Sequence, residues 1–230
     1  MVRRRIFLMR HAEVDYFGDA EGVGDPPLTA NGRQQVQRVA KFFEARKVNL
    51  DTVLATPYQR TQESAKIICQ QLGIINEVQI VKDLGEIVAG ADVLTSEQAI
   101  RDGLFVGRKR LSDEERFLGG ETIGHFCDRV NTAMAGIRKK SGWQTLLIVG
   151  HGGVNTALLS YALSGDPRAY YPSLEQDYAC LNIIDVGDHP DDQIVRLVNH
   201  QPDYYDATRR STTLERFASD YIRDITAVRT

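Results

Sequence analysis

The chain of 230 residues is 26% charged and 42% hydrophobic, with a formal net charge of -3. That is enough chain for one large domain with a substantial core, and the acidic balance excludes a broad nucleic-acid-binding surface, so any affinity for anions must come from a few local arginines. No run of about 18 apolar residues is present, which excludes a membrane-spanning helix, and the 3 cysteines, Cys69, Cys127 and Cys180, are too few and too scattered for a disulfide framework or a zinc knuckle.

The first strand is expected at Ile6–Arg10, a continuous apolar run of strand length that delivers His11 at its end. It starts so close to Met1 that no signal peptide fits ahead of it, and a cytoplasmic setting is expected. Arg3-Arg4-Arg5 reads as a solvated entry to this strand. Gly18–Pro27 is a Gly/Asp/Pro-rich loop. Thr29 is placed to cap a helix with Val36, Val39, Ala40 and Phe43 on one face. Thr52–Ala55 is a short strand, and Thr56-Pro57 reads as a cap followed by proline at the first position of a helix that buries Ala65, Ile68, Cys69 and Leu72. Val78–Val81 is the next strand. Residues 84–118 are the least regular stretch and contain the basic triplet Arg108-Lys109-Arg110. After Gly119-Gly120 a helix points Ile123, Phe126, Cys127, Val130, Met134 and Ile137 inward. Thr145–Val149 is a strand leading through Gly150 to His151, and Val154–Leu163 is a helix. Two further strands, 178–186 with Cys180 and 193–198, read as an antiparallel pair. Leu214, Phe217, Tyr221 and Ile225 mark a terminal amphipathic helix, on the domain or on a partner. This alternation predicts an α/β fold, a three-layer α/β/α sandwich whose mostly parallel central sheet has an antiparallel edge strand. Residues 1–230 are expected to form one domain with an irregular cap at about 87–118.

Two strands thus end in histidines, and ligands of open parallel sheets bind outside the carboxyl ends of strands. A neutral imidazole nitrogen of His11 can attack phosphorus and split one displacement into two easier ones. Arg10 can grip two phosphoryl oxygens with its planar guanidinium. Arg60, in the first turn of its helix, adds positive charge to a positive helix end, an arrangement that an anion would relieve. His151 lies between Gly150 and Gly152-Gly153, where the backbone can approach a ligand closely and helical N–H groups point back at the loop. Glu86 could protonate a leaving alkoxide and then take a proton from the attacking water. The other histidines, His125 on a helix, His189 in a turn and His200 at a strand end, read as structural or solvated.

Taken in order, Leu8-Met9-Arg10-His11, Pro27-Leu28-Thr29-Ala30-Asn31-Gly32, Ala55-Thr56-Pro57-Tyr58-Gln59-Arg60-Thr61, Leu84-Gly85-Glu86, Gly119-Gly120-Glu121-Thr122 and Val149-Gly150-His151-Gly152-Gly153 resemble the motifs of the histidine phosphatase superfamily, also called the phosphoglycerate mutase-like family. The resemblance implies a phosphoric monoester hydrolase of the histidine acid phosphatase type, acting on a small or medium phosphorylated metabolite. His11 would be the phosphorylated nucleophile. Arg10, Arg60, His151 and Gly152 would form the phosphate pocket, and Glu86 would be the general acid and base. No metal and no cofactor is implied, except 2,3-bisphosphoglycerate if the chain is a phosphoglycerate mutase. No nucleic-acid or membrane partner is expected, and the oligomeric state, a homodimer included, is left open.

The chain departs from the family pattern at three places. Ala12 stands where glycine is usual, which would cost about 1 kcal/mol if the position needed a positive φ. Phe17 stands where many members carry a phosphate-contacting asparagine. The stretch between Glu86 and His151 is shorter than in the mutases, which favours a phosphatase, although Arg108-Lys109-Arg110 could hold a substrate carboxylate. A non-catalytic phospho-ligand binder is a third reading, against which stands Glu86, since a binder has no need of the acid. Asp15, Tyr16, Phe17 and Tyr58 are expected specificity contacts because they neighbour the motif residues.

Overall fold

The computed structural model describes residues 3–17, 24–90, 96–107, 111–171, 173–202, 206 and 208–227. The triplet Arg108-Lys109-Arg110 and part of the loop 18–27 lie outside them, as does the side chain of Ile225. Among the described residues six strands form one sheet: β1 (Arg4–Arg10), β2 (Thr52–Ala55), β3 (Gln79–Ile80), β4 (Thr145–Gly150), β5 (Leu181–Val186) and β6 (Gln193–His200), in the order β3-β2-β4-β1-β5-β6. β3, β2, β4 and β1 are parallel neighbours. β5 runs antiparallel to β1, and β6 pairs antiparallel to β5 at the edge. The helices are α1 (Ala30–Ala45), α2 (Gln59–Leu72), α3 (Glu97–Gly103), α4 (Ile123–Lys139), α5 (Gly152–Ser164) and α6 (Thr213–Ala227). No helix among the described residues is long and apolar enough to cross a membrane.

Successive strand residues point to opposite faces, and the sheet is covered on both. Ile6, Leu8, Leu146 and Ile148 pack with Phe126 and Val130 of α4 and with Leu158 of α5. Phe7, Met9, Leu147 and Val149 pack with Val36 and Phe43 of α1 and with Ile68 of α2. Burial on both faces is why β1 and β4 read as unbroken apolar runs rather than alternating ones. Cys69, Cys127 and Cys180 are free and buried; Cys180 immediately precedes β5 rather than lying within it.

Several local expectations change in three dimensions. Thr29 does cap α1, accepting from Gly32 N–H at 2.9 Å. Thr56 does not cap α2, which starts at Gln59. Its hydroxyl is engaged elsewhere, and the helix end is met instead by Asp25, whose two carboxylate oxygens accept from Gln59 N–H at 2.9 Å each. Leu72 is only half-buried. Arg3 and Arg5 pair with Asp192 and Asp185 at 2.7 and 2.6 Å, and Arg4 donates to the Arg138 and Lys140 carbonyls, so the basic entry to β1 is tied down. The irregular stretch contains the short α3, capped by Ser96 and anchored by Ile100 and Leu104 against Ala218 of α6. The terminal helix therefore packs on its own chain. Phe17 belongs to this contact, with its ring 5.3 Å from that of Phe217, and supplies packing where a polar phosphate contact is usual in the family. Ala12 is buried and is not among the residues at positive φ, so it carries no strain.

Candidate active site

The register of the parallel strands assembles the site. Arg10 is opposite Gly150, and Ala55 is opposite Val149. The chain therefore leaves β1, β4 and β2 with His11, His151 and Thr56 side by side at the carboxyl edge. The two imidazole rings stand 5.5 Å apart, edge to face, and both residues are buried.

Hydrogen bonds assign the His11 tautomer. Nδ1 is 2.8 Å from the Ala12 carbonyl, which can only accept, so Nδ1 carries the proton and Nε2 of the neutral ring keeps a lone pair. The Tyr16 hydroxyl lies 3.5 Å from Nε2, and burial holds that phenol protonated, with its pKa pushed up to about 12. The same reasoning applies to His151. The Thr61 hydroxyl donates to the carbonyls of Thr56 and Tyr58, at 3.0 and 2.8 Å. It therefore accepts from the Thr56 hydroxyl at 2.9 Å, which in turn accepts from His151 Nε2–H at 2.8 Å. His151 Nδ1 is left without a partner among the described residues. Burial, reinforced by the positive charges of Arg10 and Arg60, holds both histidines well below the ordinary imidazole pKa, so both are neutral.

Arg10 turns toward this edge. Its Nη1 donates to the Gln176 carbonyl at 2.5 Å, and its guanidinium stacks 4.3 Å above the ring of Tyr178. Arg60 is buried, pairs with Asp25 at 3.1 Å and lies 4.3 Å over the Tyr58 ring. Asp25 thus supplies negative charge at the start of α2 and explains how an arginine is tolerated there. Even so, Nε of each arginine is buried without a hydrogen-bond partner among the described residues. These two N–H groups flank His11, and an anion bound there would accept from both, and from His151 Nδ1 once that ring takes up a second proton.

Glu86 arrives from a different segment. Its carboxylate accepts from Ile87 N–H and from Gly153 N–H, each at 3.0 Å, which brings it against the first turn of α5. Arg129 of α4 holds the loop that carries it. One guanidinium donates to the carbonyls of Asp83, Gly85 and Glu86 at 2.8–3.0 Å and grips both oxygens of Glu121. Next to this point opens a cavity of about 360 Å³ lined by Arg10, Glu86 and Gly152, among others.

The structure therefore brings together His11, Arg10, Arg60, His151, Gly152 and Glu86, with Tyr16 and Tyr58 beside them. Asp15 is exposed. His125 pairs with Glu121 on the protein surface, His189 is in an exposed turn, and His200 packs on Phe42. Sequence reading overlooked Thr56 as the partner of His151, Tyr178 beneath Arg10, Asp25, and Arg129. None of them carries a local signal: even Arg129 lies beside the apolar stripe of α4 rather than on it.

The chain is similar to the "Probable phosphoglycerate mutase GpmB" of Salmonella paratyphi A, with 30% identity over 157 residues, 64% of this chain and 69% of that one. In fold it resembles the alpha-ribazole phosphatase from Shigella flexneri, at TM-score 0.70 and 24% identity, covering 88% of this chain and 99% of that one. It also resembles a phosphoserine phosphatase from Entamoeba histolytica, at TM-score 0.66 and 19% identity, covering 86% and 97%. A family model described as histidine phosphatase superfamily (branch 1) matches residues 6–200, the span that holds both histidines, both arginines and Glu86. The chain belongs to the histidine phosphatase superfamily.

Proposed function

We propose that the protein is a phosphomonoesterase that hydrolyses a phosphorylated metabolite through a phosphohistidine on His11. The observation that carries this reading is the protonation pattern of His11: Nδ1–H is fixed on the Ala12 carbonyl, which leaves Nε2 unprotonated in the field of half-buried Arg10 and buried Arg60. In the first step Nε2 attacks phosphorus, an N–P bond forms and the ester P–O bond breaks. The leaving alkoxide takes its proton from a protonated Glu86. The Ala12 carbonyl disperses the positive charge that grows on the ring. In the second step the Glu86 carboxylate takes a proton from water, whose oxygen attacks phosphorus; the N–P bond breaks and phosphate leaves. Arg10, Arg60 and a protonated His151 neutralise charge on the equatorial oxygens throughout, the role that positioned cations play in phosphoryl transfer generally.

The second reading, a phosphoglycerate mutase, is favoured by the Salmonella relative. The two separate in one experiment: release of inorganic phosphate from a panel of phosphomonoesters, 3-phosphoglycerate included, with and without 2,3-bisphosphoglycerate. Phosphate release is expected. Isomerisation to 2-phosphoglycerate without release would establish the mutase, and silence across the panel would favour a binding protein.

A further inference from the structure

The cavity beside Arg10 and Glu86 has walls unlike those of the phosphate pocket. Ile87, Phe105, Phe117, Leu174 and Leu214 form its apolar sides, drawn from the loop after Glu86, the cap, the segment before β5 and the start of α6. Phe105 is buried and held at φ +58°, a left-handed conformation that a bulky residue rarely adopts, with its ring 6.1 Å from that of Phe117. Such outliers cluster at ligand sites. Among the described lining residues the only Lys or Arg is Arg10, at the phosphate end, whereas three carboxylates are present: Glu86, Glu175 and Glu215. Glu175 and Glu215 hold the start of α6. Glu175 Oε1 accepts from Thr213 N–H at 2.9 Å, and Glu215 Oε2 accepts from Thr212 N–H and its hydroxyl at 2.7 and 3.0 Å. The other oxygen of each has no protein partner among the described residues. A carboxylate or second phosphate on the substrate would thus meet like charge and, among the described residues, no counter-ion but Arg10 in a partly apolar space, whereas hydrogen-bond donors would find acceptors.

We propose that the leaving group is an alcohol with an apolar, ring-sized body, no second anionic group, and a neutral or cationic hydrogen-bond donor at its far end, received by Glu175 and Glu215. This rests on the phosphomonoesterase reading and narrows its substrate class.

Three aryl phosphates of equal size that differ only at the para position test it: 4-(hydroxymethyl)phenyl, 4-(aminomethyl)phenyl and 4-carboxyphenyl phosphate. The first two are expected to exceed the third in kcat/KM by about tenfold or more, since like-charge juxtaposition is strongly unfavourable away from water. In a Glu175→Gln/Glu215→Gln variant, where the glutamine oxygens still cap α6, the gap is expected to close to about threefold or less, chiefly through faster turnover of the carboxylate ester. A carboxylate ester that matches the other two in the wild-type protein, or a gap unchanged in the variant, overturns the proposal. Absence of turnover with all three would count against the phosphatase reading instead. The substrate class is then decided by the affinities of the same esters for the His11→Ala protein, where tighter binding of the carboxylate ester, or no binding of any, overturns it.

Discussion

At His11 a single proton decides the chemistry. The Ala12 carbonyl demands a donor, so the opposite nitrogen is the one available to attack, and burial beside Arg10 and Arg60 keeps it unprotonated. His11→Ala is expected to lower kcat by about three orders of magnitude or more, as loss of a covalent nucleophile does, with an unchanged circular dichroism spectrum. More than a few per cent of wild-type rate would remove His11 from the mechanism. Alkaline quench of a Glu86→Gln variant with labelled 4-nitrophenyl phosphate, whose leaving group needs no proton, is expected to trap an acid-labile, base-stable phosphoenzyme, because the nucleophile is intact while the second step lacks its base. Gly153 shows how little room the site leaves. A Cβ there would overlap Glu86 Oε1 and lie 2.7 Å from the Tyr171 hydroxyl. Gly153→Ala is expected to displace the carboxylate and reduce kcat by about 10²-fold, the scale of a misplacement of about 1 Å, while the melting temperature changes little. A wild-type kcat in this variant would argue against Glu86 as the acid.

At the scale of elements, the site is an assembly of strand and helix ends. β1, β2 and β4 each contribute the residue just past their last pair, and this requires only parallel register. Glu86 has no such scaffold, since it follows the 3-10 turn Lys82–Leu84. α4 substitutes for one: Arg129 reaches across to three carbonyls of the Glu86 loop, and Glu121, oriented at the start of α4, holds the guanidinium flat. Lysine keeps the charge but cannot reproduce a planar multi-donor fork. Arg129→Lys is therefore expected to lower kcat by about tenfold or more with KM within about twofold, the signature of lost transition-state positioning rather than lost binding. A rise in KM alone would place Arg129 in substrate binding. α6 and Phe17 close the outer side of the same edge, which makes the C-terminal helix part of the pocket wall through Leu214 and Glu215.

The whole molecule carries the consequence of keeping two histidines neutral. An unfolded chain protonates them as pH falls through about 6.5, whereas the folded protein does so only well below that value. The unfolded state then binds more protons, so stability present above pH 6.5 is lost as pH falls from there toward the folded values. Glu121 and Asp185, whose pKa values are depressed, lose their contribution only in the more acidic carboxylate range. The urea midpoint is thus expected to fall between pH 7.5 and pH 5.5, and less steeply in His151→Gln. Bound phosphate offsets the field of the arginines and favours a proton on His151, so inorganic phosphate is expected to flatten the dependence and to bind with net proton uptake. A midpoint that is flat or rising toward pH 5.5 would contradict the neutral assignment. Much of this protein was legible in the chain. Apolar runs ending in histidine, the helix faces and the ordered motifs depend on residues close together in sequence, and local spacing alone places them at strand ends and helix starts. The remainder was decided by contacts between distant segments: Thr56 with His151, Asp25 with the start of α2, Arg129 with the Glu86 loop, and α6 with the cap. None of these has a periodic signature, because a hydrogen bond or an ion pair between segments brought together by folding is set by the packing of layers and not by the neighbours of either residue. The sequence by itself determined which groups could do the chemistry, and the tertiary structure alone decided their protonation, their partners and the walls around the leaving group.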